Sequence, residues 1–362
     1  MTIRALSAAL LVLAAPSAFA QAASPTAWPN QREGDFIIKD FHFKSGESIA
    51  ELKQHYRTLG TPKRNASGDI TNAVILLHGT SSSGDAWLMP SLADELFAAG
   101  QPLDASQYFI ILPDGIGRGG SSKPSDGLRA RFPHYRYDDM IAAEHRLVTE
   151  GLGIKHLRLV MGSSMGGMHT WMWGYTYPDL MDGLIPIASQ PIQISGRNWI
   201  QRRIAAEAIR QDPGWNNGNY ENNPTQWTVT APYGFLQTEN VRRIQDLAPT
   251  REAGDAIYFK LREEAKKRDA NDTLWGIEAV MDYNPAPYLE KIKARLMAIN
   301  SGDDETNPPQ LGVTEREIKR IPNAKYVLIP ASEKTHGHYT HLRAMFWKHH
   351  VAQFLEELPP RM

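Results

Sequence analysis

LRLVMGSSMGG, residues Leu157–Gly167, is the segment from which the architecture of this chain is best inferred. Its first five residues form a short apolar run typical of a buried strand, and a helical pattern begins just after it. Residues Gly162–Gly166 read G-x-S-x-G, the pattern of a strand–turn–helix junction that exposes a serine. Ser164 has a glycine two positions before and two positions after it, whereas Ser163 is expected to be a turn residue. Because such glycines let neighbouring backbones pass close to a strained turn, the pattern predicts Ser164 as a nucleophile.

Short apolar runs on both sides of this segment have the length and composition of further buried strands. They are Ala73–Leu77, Tyr108–Leu112, Leu184–Ala188, Arg295–Ile299 and Tyr326–Ile329. Helical patterns lie between or after them, near Ala86–Ala99, Asp138–Gly151, Met165–Tyr177 and Leu342–Leu358. Strands alternating with helices are typical of a mostly parallel, doubly wound α/β sheet. A hairpin formed by Asp35–Lys44 and Leu52–Leu59 is expected in addition.

The pattern changes between residues 191 and 283, where strand-like runs disappear. Helical stretches at Asn198–Gln211, Asn240–Leu247 and Asp255–Arg268 alternate there with polar loops such as Trp215–Thr225. We interpret 191–283 as a helical cap insertion over the ends of the parallel strands. The core would then comprise residues 35–190 and 284–358. A second helical layer without a functional role is the alternative interpretation.

Composition excludes several functional classes. The chain has 362 residues, of which 42% are hydrophobic, enough to build a sizeable core rather than a disordered chain. Lys and Arg number 39 against 40 Asp and Glu, so no positive excess is present to neutralise a nucleic-acid backbone. The cysteine count is 0, which excludes disulfides, thiolate catalysis and any metal site built on cysteine.

Residues 1–20 have the features of a secretory signal peptide. Arg4 supplies the positive start, Ala5–Ala15 is an apolar stretch too short to span a bilayer, and Ala18-Phe19-Ala20 matches an A-x-A cleavage site. We therefore expect cleavage before Gln21 and a periplasmic or secreted mature protein. No later segment has about 18 uninterrupted apolar residues, so no membrane span is expected.

A serine hydroxyl needs a general base, and in enzymes with this turn the acid and then the histidine follow along the chain. The predicted strand Arg295–Ile299 runs into the acidic turn Ser301–Pro308, SGDDETNP. Asp304 is predicted as the acid because its D-x-x-x-P spacing resembles the setting of that acid in such enzymes. Asp303 is the alternative, and a solvated acidic loop is the interpretation without a catalytic role.

The base is expected after the last predicted strand, in Lys334–His341, KTHGHYTH. His338 is predicted because Gly337 before it would let the loop place the imidazole over the serine. His336 and His341 are the alternatives. The H-x-H-x-x-H spacing is also compatible with a metal site, but no carboxylate stands at a fixed ligand spacing, so we expect no metal.

Two backbone N–H groups are expected to form an oxyanion hole. One should belong to Met165, the residue after the nucleophile, and the other to Thr80 in the Gly/Ser-rich loop after the strand Ala73–Leu77. An ordinary strand-to-helix turn is the alternative interpretation of that loop.

Residues Gly115–Gly120 match the G-x-G-x-x-G string of dinucleotide-binding proteins. A dinucleotide site also needs a helix that begins at those glycines, and a loop-like sequence follows instead. We therefore expect a flexible loop near the active site and no cofactor.

Taken together, these segments resemble the α/β-hydrolase superfamily and, within it, homoserine O-acetyltransferase-like proteins, over roughly residues 35–355. The resemblance implies an α/β-hydrolase fold and a triad of Ser164, Asp304 and His338. The matching stretches are His78-Gly79-Thr80, Tyr108–Gly120, Asp138–Leu157, Gly162–Met168, Tyr177-Pro178-Asp179, Ala208–Pro213, Trp215–Tyr220, Asp304 and Gly337-His338.

The chain departs from the acetyltransferases at the acceptor site that the resemblance implies. The arginine of a Thr-Tyr-Arg segment, which grips the homoserine carboxylate in those enzymes, is missing near Thr230–Phe235. An exported protein is also not expected to meet acetyl-CoA. We therefore predict a serine hydrolase that cleaves an ester or similar acyl bond of a small molecule. Acyl transfer is the alternative, with Arg197, Arg202 and Arg203 as other candidate cations. A non-catalytic binding protein is the third reading, and a homodimer is an additional hypothesis.

Overall fold

The protein, described here by a computed structural model that covers residues 28–360, is built on one sheet of eight strands. The strands lie in the order β1-β2-β4-β3-β5-β6-β7-β8. Those from β3 onward pair in parallel, whereas β1 with β2 and β2 with β4 pair antiparallel. Their bounds are β1 Arg32–His42, β2 Ser48–Leu59, β3 Ala73–Leu77, β4 Phe109–Pro113, β5 Leu157–Ser163, β6 Met181–Ile187, β7 Arg295–Ser301 and β8 Ala324–Ile329.

Both faces of the central strands are covered, which confirms the predicted fold class. Alternate residues of β3 pack into two different apolar cores: Ile75 lies in one, and Val74 and Leu76 lie in the other. This follows from the two-residue period of a strand. The first core includes Trp171 on the helix after β5, and the second includes Phe354 on the last helix of the described chain.

Ten α-helices accompany the strands in the described part of the chain. They are α1 Pro90–Leu96, α2 Tyr137–Arg146, α3 Met165–Thr176, α4 Gly196–Arg210, α5 Pro232–Thr238, α6 Val241–Leu247, α7 Arg251–Lys266, α8 Ala270–Glu278, α9 Val313–Glu317 and α10 Lys348–Glu356. The stretch from β6 to β7 lies wholly within the described residues and contains α4 to α8 with short 3-10 turns between them. We call α4 to α8 the inserted helices.

Two predicted helices begin later than their patterns indicated. The pattern at 86–99 is divided, because Met89 has an extended backbone and Pro90 then starts α1 with no N–H to extend an earlier helix. The pattern at 342–358 becomes helical only from Lys348, since Arg343 and Trp347 have non-helical backbone angles. The preceding residues instead form 3-10 turns, including the turn that carries His338.

Two of the inserted helices were not predicted. Helix α5 contains a proline and a glycine within its seven residues, which weakens any helical pattern. Helix α8 had a usable signal, because the Asp269 side chain caps it by accepting hydrogen bonds from the backbone N–H groups of Asn271 and Asp272.

No helix in residues 28–360 combines the length and apolar character needed to cross a membrane. The predicted signal peptide, residues 1–20, lies outside the described residues.

Candidate active site

Ser164 lies at the sharp turn between β5 and α3. Its backbone has φ 56° and ψ −114°, a strained conformation for a residue with a side chain. The turn is held by close packing: a Cβ at Gly162 would lie 2.2 Å from the Gly166 carbonyl oxygen, and a Cβ at Gly166 would lie 2.0 Å from the Leu77 carbonyl oxygen. The two glycines of the G-x-S-x-G pattern are therefore required by backbone contacts on both sides of Ser164.

His338 reaches Ser164 from the loop after β8. Its Nε2 lies 2.9 Å from Ser164 Oγ, and its Nδ1 lies 2.9 Å from Asp304 Oδ2. The preceding residue, Gly337, has φ 58°, and a Cβ there would lie 2.8 Å from the Thr238 carbonyl oxygen. Glycine at this position lets the loop turn tightly beneath the inserted helices and direct the imidazole toward the serine.

Asp304 follows β7 and is fully buried beneath His338. Its Oδ1 accepts hydrogen bonds from the backbone N–H groups of Thr306 at 2.8 Å and Asn307 at 2.9 Å. Burial alone would raise the pKa of Asp304, but His338 and the Asn307 hydrogen bonds outweigh it and hold that pKa below its usual value. The carboxylate thus stays charged, and it can orient His338 and stabilise a positive imidazolium.

Asp303 has a different set of partners and does not contact His338. One carboxylate oxygen accepts from the Ser301 hydroxyl. The other accepts from the Asn240 side-chain amide, from the Thr335 hydroxyl at 2.8 Å and from the Gly337 N–H at 3.1 Å. Asp303 therefore links the inserted helices to the loop that carries His338.

The two alternative histidines lie apart from the serine. His336 lies near Glu239, and burial, with Arg243 and Arg343 nearby, lowers its pKa to about 4. His341 packs edge-on against the His338 ring with 5.0 Å between ring centroids, and burial lowers its pKa well below the usual value. Within residues 28–360 no three His, Asp or Glu side chains come together as a metal ion would require.

The predicted oxyanion donors lie beside Ser164. The N–H groups of Thr80 and Met165 donate no hydrogen bond within the described part of the chain. A Cβ at Gly79, next to Thr80, would lie 3.7 Å from the Cβ of Ser164. The loop is braced by His78, whose Nε2 accepts a hydrogen bond of 2.8 Å from the Gly115 N–H. Two backbone N–H groups without an acceptor in the described residues therefore belong to residues that adjoin Ser164 or its neighbour Gly79.

Residues Gly115–Gly120 form a loop after β4, and no helix begins at these glycines. Through the Gly115–His78 hydrogen bond the loop supports the segment that contains Thr80. Its Arg118 side chain reaches Gly276 of α8, where a Cβ would lie 1.9 Å from a terminal guanidinium nitrogen. The loop therefore connects the serine region to the inserted helices.

Asn307 was not predicted as a site residue. Its side-chain amide nitrogen donates to the Ala188 carbonyl at 2.8 Å and lies 3.3 Å from Asp304 Oδ2. It also lies 3.4 Å from His338 Nδ1. The only sequence signal was its place in the turn between Asp304 and Pro308, since an asparagine in a turn is otherwise common.

Comparison with known proteins gives a consistent set of similarities. The α/β hydrolase fold family matches over residues 72–335. A probable acyltransferase of Methanothermobacter thermautotrophicus is 31% identical over 296 residues, which cover 81% of this chain and 89% of that protein. A homoserine O-acetyltransferase of Methanohalobium evestigatum is 28% identical over 316 residues, 75% of this chain and 62% of that protein. The crystal structure of esterase E22 shares the fold, with a TM-score of 0.77 at 19% identity over 90% of this chain and 100% of that one.

Proposed function

The chain belongs to the α/β-hydrolase fold family, in the branch of the homoserine O-acetyltransferases, and we propose that it is a serine hydrolase that cleaves esters of a small molecule. The observation that carries this proposal is the hydrogen-bonded row from Asp304 through His338 to Ser164, with 2.9 Å at each step. Such a row can activate a hydroxyl that is otherwise a weak nucleophile at neutral pH.

In the proposed reaction Ser164 Oγ forms a bond to the ester carbonyl carbon while its proton passes to His338 Nε2. The tetrahedral intermediate collapses, the ester C–O bond breaks, and the leaving alkoxide takes the proton from His338. Water then loses a proton to His338 and attacks the acyl-enzyme, and the acid leaves as Ser164 regains its proton. Asp304 stabilises the imidazolium in both halves without taking a proton itself.

Thr80 and Met165 are proposed as the oxyanion donors. In each half-reaction negative charge develops on the carbonyl oxygen, and N–H groups that have no other acceptor in the described residues are suited to stabilise it by donating hydrogen bonds. The N-terminus of α3 begins at Met165 and adds a favourable dipole at the same point. We propose in addition that residues 191–283 act as a cap over this region, which the Asp303–Asn240 and Arg118–Gly276 contacts support.

Acyl transfer is the second candidate function, and the relatives favour it. The probable acyltransferase at 31% identity and the homoserine O-acetyltransferase at 28% identity both carry transfer activities in their names. Transfer and hydrolysis share the formation of the acyl-enzyme and differ only in what attacks it. The expected export of the protein, away from acetyl-CoA, supports hydrolysis.

The nucleophile is tested by following hydrolysis of p-nitrophenyl acetate and labelling by a serine-directed phosphonate. Ser164→Ala should lower kcat by about a thousandfold or more and abolish labelling, because members of a triad act as a unit. Ser163→Ala is the matched control: Ser163 makes no hydrogen bond with His338, whose Nε2 contacts Ser164 instead, so this variant should retain both turnover and labelling. Full turnover by Ser164→Ala in the same folded state would refute the proposed nucleophile.

The fate of the acyl group is tested by product mass. The enzyme is incubated with acetyl-CoA or p-nitrophenyl acetate, with and without homoserine, and the free acid is measured against O-acetylhomoserine. We expect acetate as the main product from the activated ester. O-acetylhomoserine as the dominant product from acetyl-CoA would establish transfer and overturn the hydrolase assignment, leaving the acyl-enzyme step intact.

A further inference from the structure

We propose that Arg118, Arg202, Tyr135 and Tyr137 form a binding site for a carboxylate, so that the preferred ester carries a carboxylate group. The proposal rests on the proposed function, since it places this site in the substrate region of an esterase or acyltransferase. It is drawn from two guanidinium groups that approach α8 without a carboxylate of the described residues in contact, and from two buried phenol hydroxyls without a hydrogen-bond partner there.

The two arginines approach neighbouring residues of α8. A terminal nitrogen of Arg118 lies against Gly276, where a Cβ would be 1.9 Å away. A terminal nitrogen of Arg202 donates to the carbonyl of the next residue, Ile277, at 3.3 Å. Arg202 comes from α4 and Arg118 from the loop after β4, so two different segments bring two positive charges to one turn of helix.

Neither guanidinium has a carboxylate partner. Within residues 28–360 no carboxylate oxygen lies within 4.0 Å of Arg118 or Arg202. Arg202 is only 9% exposed, and besides the α8 carbonyl it binds the Asn198 side-chain oxygen at 3.0 Å. A buried cation without a counter-charge in contact is costly. An anion bound at these arginines would relieve that cost.

The neighbouring arginines of α4 show the contrast. Arg197 is paired with Glu305, Arg203 is paired with Glu207, and both arginine side chains are more than half exposed, at 61% and 57%. Arg202 is the buried member of the three candidate cations. Its position therefore requires an explanation that a solvated helix face does not supply.

Two phenol hydroxyls complete the site. Tyr135 and Tyr137 are 1% and 0% exposed, and neither hydroxyl has a hydrogen-bond partner within the described residues. The Tyr135 hydroxyl lies against Gly117, the residue before Arg118. Burial raises the pKa of both phenols. The positive charge of Arg118 works against this rise at both tyrosines, and the charge of Arg202 also works against it at Tyr137. Both hydroxyls therefore remain donors for an acceptor such as a carboxylate oxygen.

Two carboxylates face the same region, but both already accept hydrogen bonds from other groups. Asp272 accepts from the N–H and hydroxyl of Ser125 at 2.9 and 2.6 Å. Asp282 accepts from the N–H groups of Tyr137 and Asp138 at 3.2 and 2.9 Å. Burial raises the pKa of Asp272 and the charge of Arg118 works against that rise, but neither carboxylate lies within 4.0 Å of the two guanidinium groups.

The site adjoins the reacting serine through the loop after β3. The Thr80 hydroxyl approaches Tyr137 closely enough to lower its pKa, although the two groups lack hydrogen-bond geometry. Gly79, beside Thr80, is the residue that packs on Ser164. A carboxylate bound beside Tyr137 would thus lie next to the segment that packs on Ser164, which suits an anionic group at one end of an ester.

The site is tested by comparing kcat/KM for matched charged and neutral esters. Mono-p-nitrophenyl adipate against p-nitrophenyl hexanoate probes a carboxylate on the acyl side, and 4-acetoxybenzoate against 4-acetoxybenzamide probes the alcohol side. We expect wild type to prefer the charged member of one pair by about tenfold or more, the effect of one good charge-assisted contact. Equal rates within both pairs would refute the proposal.

Variants assign the preference to the arginines. Arg202→Met and Arg118→Met should each reduce the charged-to-neutral ratio toward one, and Arg202→Lys should restore part of it. Arg203→Met, one residue along the same helix, is the control and should keep the wild-type ratio. A fall shared equally by both esters, with the ratio unchanged, would indicate a merely structural role and overturn the proposal.

Equilibrium binding separates this site from the proposed function. Titration calorimetry of wild type and Arg202→Met with adipate and benzoate, against adipamide and benzamide, requires no catalysis. Arginine-dependent carboxylate binding without ester cleavage would retain the site and refute the hydrolase. Ester cleavage with neither a charge preference nor carboxylate binding would retain the hydrolase and refute the site.

Discussion

Replacement of each of the adjacent aspartates by asparagine separates a catalytic role from a positioning role. Asp304→Asn keeps the size of the side chain but cannot keep its hydrogen bonds. The backbone N–H groups of Thr306 and Asn307 both point at Oδ1, so the new amide must present its oxygen to them. Its NH2 group then faces His338 Nδ1, which must become an acceptor.

That constraint fixes the wrong tautomer of His338. With Nδ1 accepting, the ring proton resides on Nε2, the atom that lies 2.9 Å from Ser164 Oγ. A protonated Nε2 cannot take the serine proton, and the imidazolium also loses its counter-charge. We expect kcat to fall by about 10⁴-fold, as when the acid of such a triad is replaced by its amide.

Asp303→Asn should behave differently. The substitution removes charge-assisted contacts that bind Asn240 and Gly337, and an amide NH2 would meet donors in their place. Loss of these partly exposed contacts should lower the free energy of unfolding by about 1–3 kcal/mol. Because His338 keeps its own acid, kcat should fall by only about tenfold.

The two variants are compared by kcat for p-nitrophenyl acetate and by the urea midpoint of unfolding. The expected pattern is a large kinetic loss with a small stability loss for Asp304→Asn, and the reverse for Asp303→Asn. If Asp303→Asn loses as much activity as Asp304→Asn while remaining folded, the assignment of the acid is wrong. Activity of Asp304→Asn within tenfold of wild type would refute the tautomer reasoning.

Three further outcomes are expected. Burial raises the pKa of Asp282 to about 6, so the ionisation of this carboxyl opposes folding. The contribution of protonated Asp282 to the free energy of unfolding is fully present below about pH 4 and is lost as the pH rises through 6. Relative to Asp282→Asn, wild type should lose at most about 3 kcal/mol of unfolding free energy between pH 4 and 7, measured by urea titration. Gly166→Ala places a Cβ 2.0 Å from the Leu77 carbonyl oxygen and should lower the free energy of unfolding by about 3 kcal/mol, with loss of ester hydrolysis. N-terminal sequencing of protein from a periplasmic fraction should begin at Gln21, and an intact Met1 there would contradict the signal peptide.

The centre of the sheet could be predicted from sequence because strands such as β3, β4 and β5 are buried on both faces. A continuous apolar run such as Ala73–Leu77 can be recognised as a buried strand without knowing which strands pair with it, and β3 has the predicted bounds. The inserted helices were harder to predict, because partly exposed residues make the helical repeat of apolar residues less regular. Helix α8 was missed although it is largely buried and its Asp269 cap was visible in the sequence.

The serine could be predicted more securely than its partners. Gly162 and Gly166 restrict Ser164 to one local geometry, which a sequence pattern can record. By contrast, Asp303 and Asp304 are adjacent in one turn, and only the direction of each side chain distinguishes them. The direction of the Asp304 side chain depends on the backbone N–H groups of Thr306 and Asn307, which donate to it. A pattern of residue types does not give the positions of those groups. The catalytic role of all three predicted triad residues stays a prediction.

The arginines show what sequence cannot supply at all. Arg197, Arg202 and Arg203 lie on one helix, and sequence offered all three as candidate cations without ranking them. What distinguishes Arg202 is its contact with α8, a helix that lies far along the chain and was not predicted. Arg118, from a loop set aside as unsuitable for a dinucleotide, reaches the same turn of α8.

This pair of charges also changes how hydrolysis and transfer should be weighed. The missing Thr-Tyr-Arg segment counted against an acceptor with a carboxylate, because such a group needs a buried partner. Arg202 and Arg118 provide two cations without carboxylate partners, so that electrostatic objection no longer separates the two reactions. The remaining difference is whether water or an alcohol reaches the acyl-enzyme first. A carboxylate bound at these arginines would belong to the leaving alcohol in hydrolysis and to the acceptor alcohol in transfer. The leaving alcohol departs as the acyl-enzyme forms and the acceptor enters afterwards, so both would use the same position. Charge preference measured on the alcohol side, together with product mass, therefore decides the reaction, whereas either measurement alone does not.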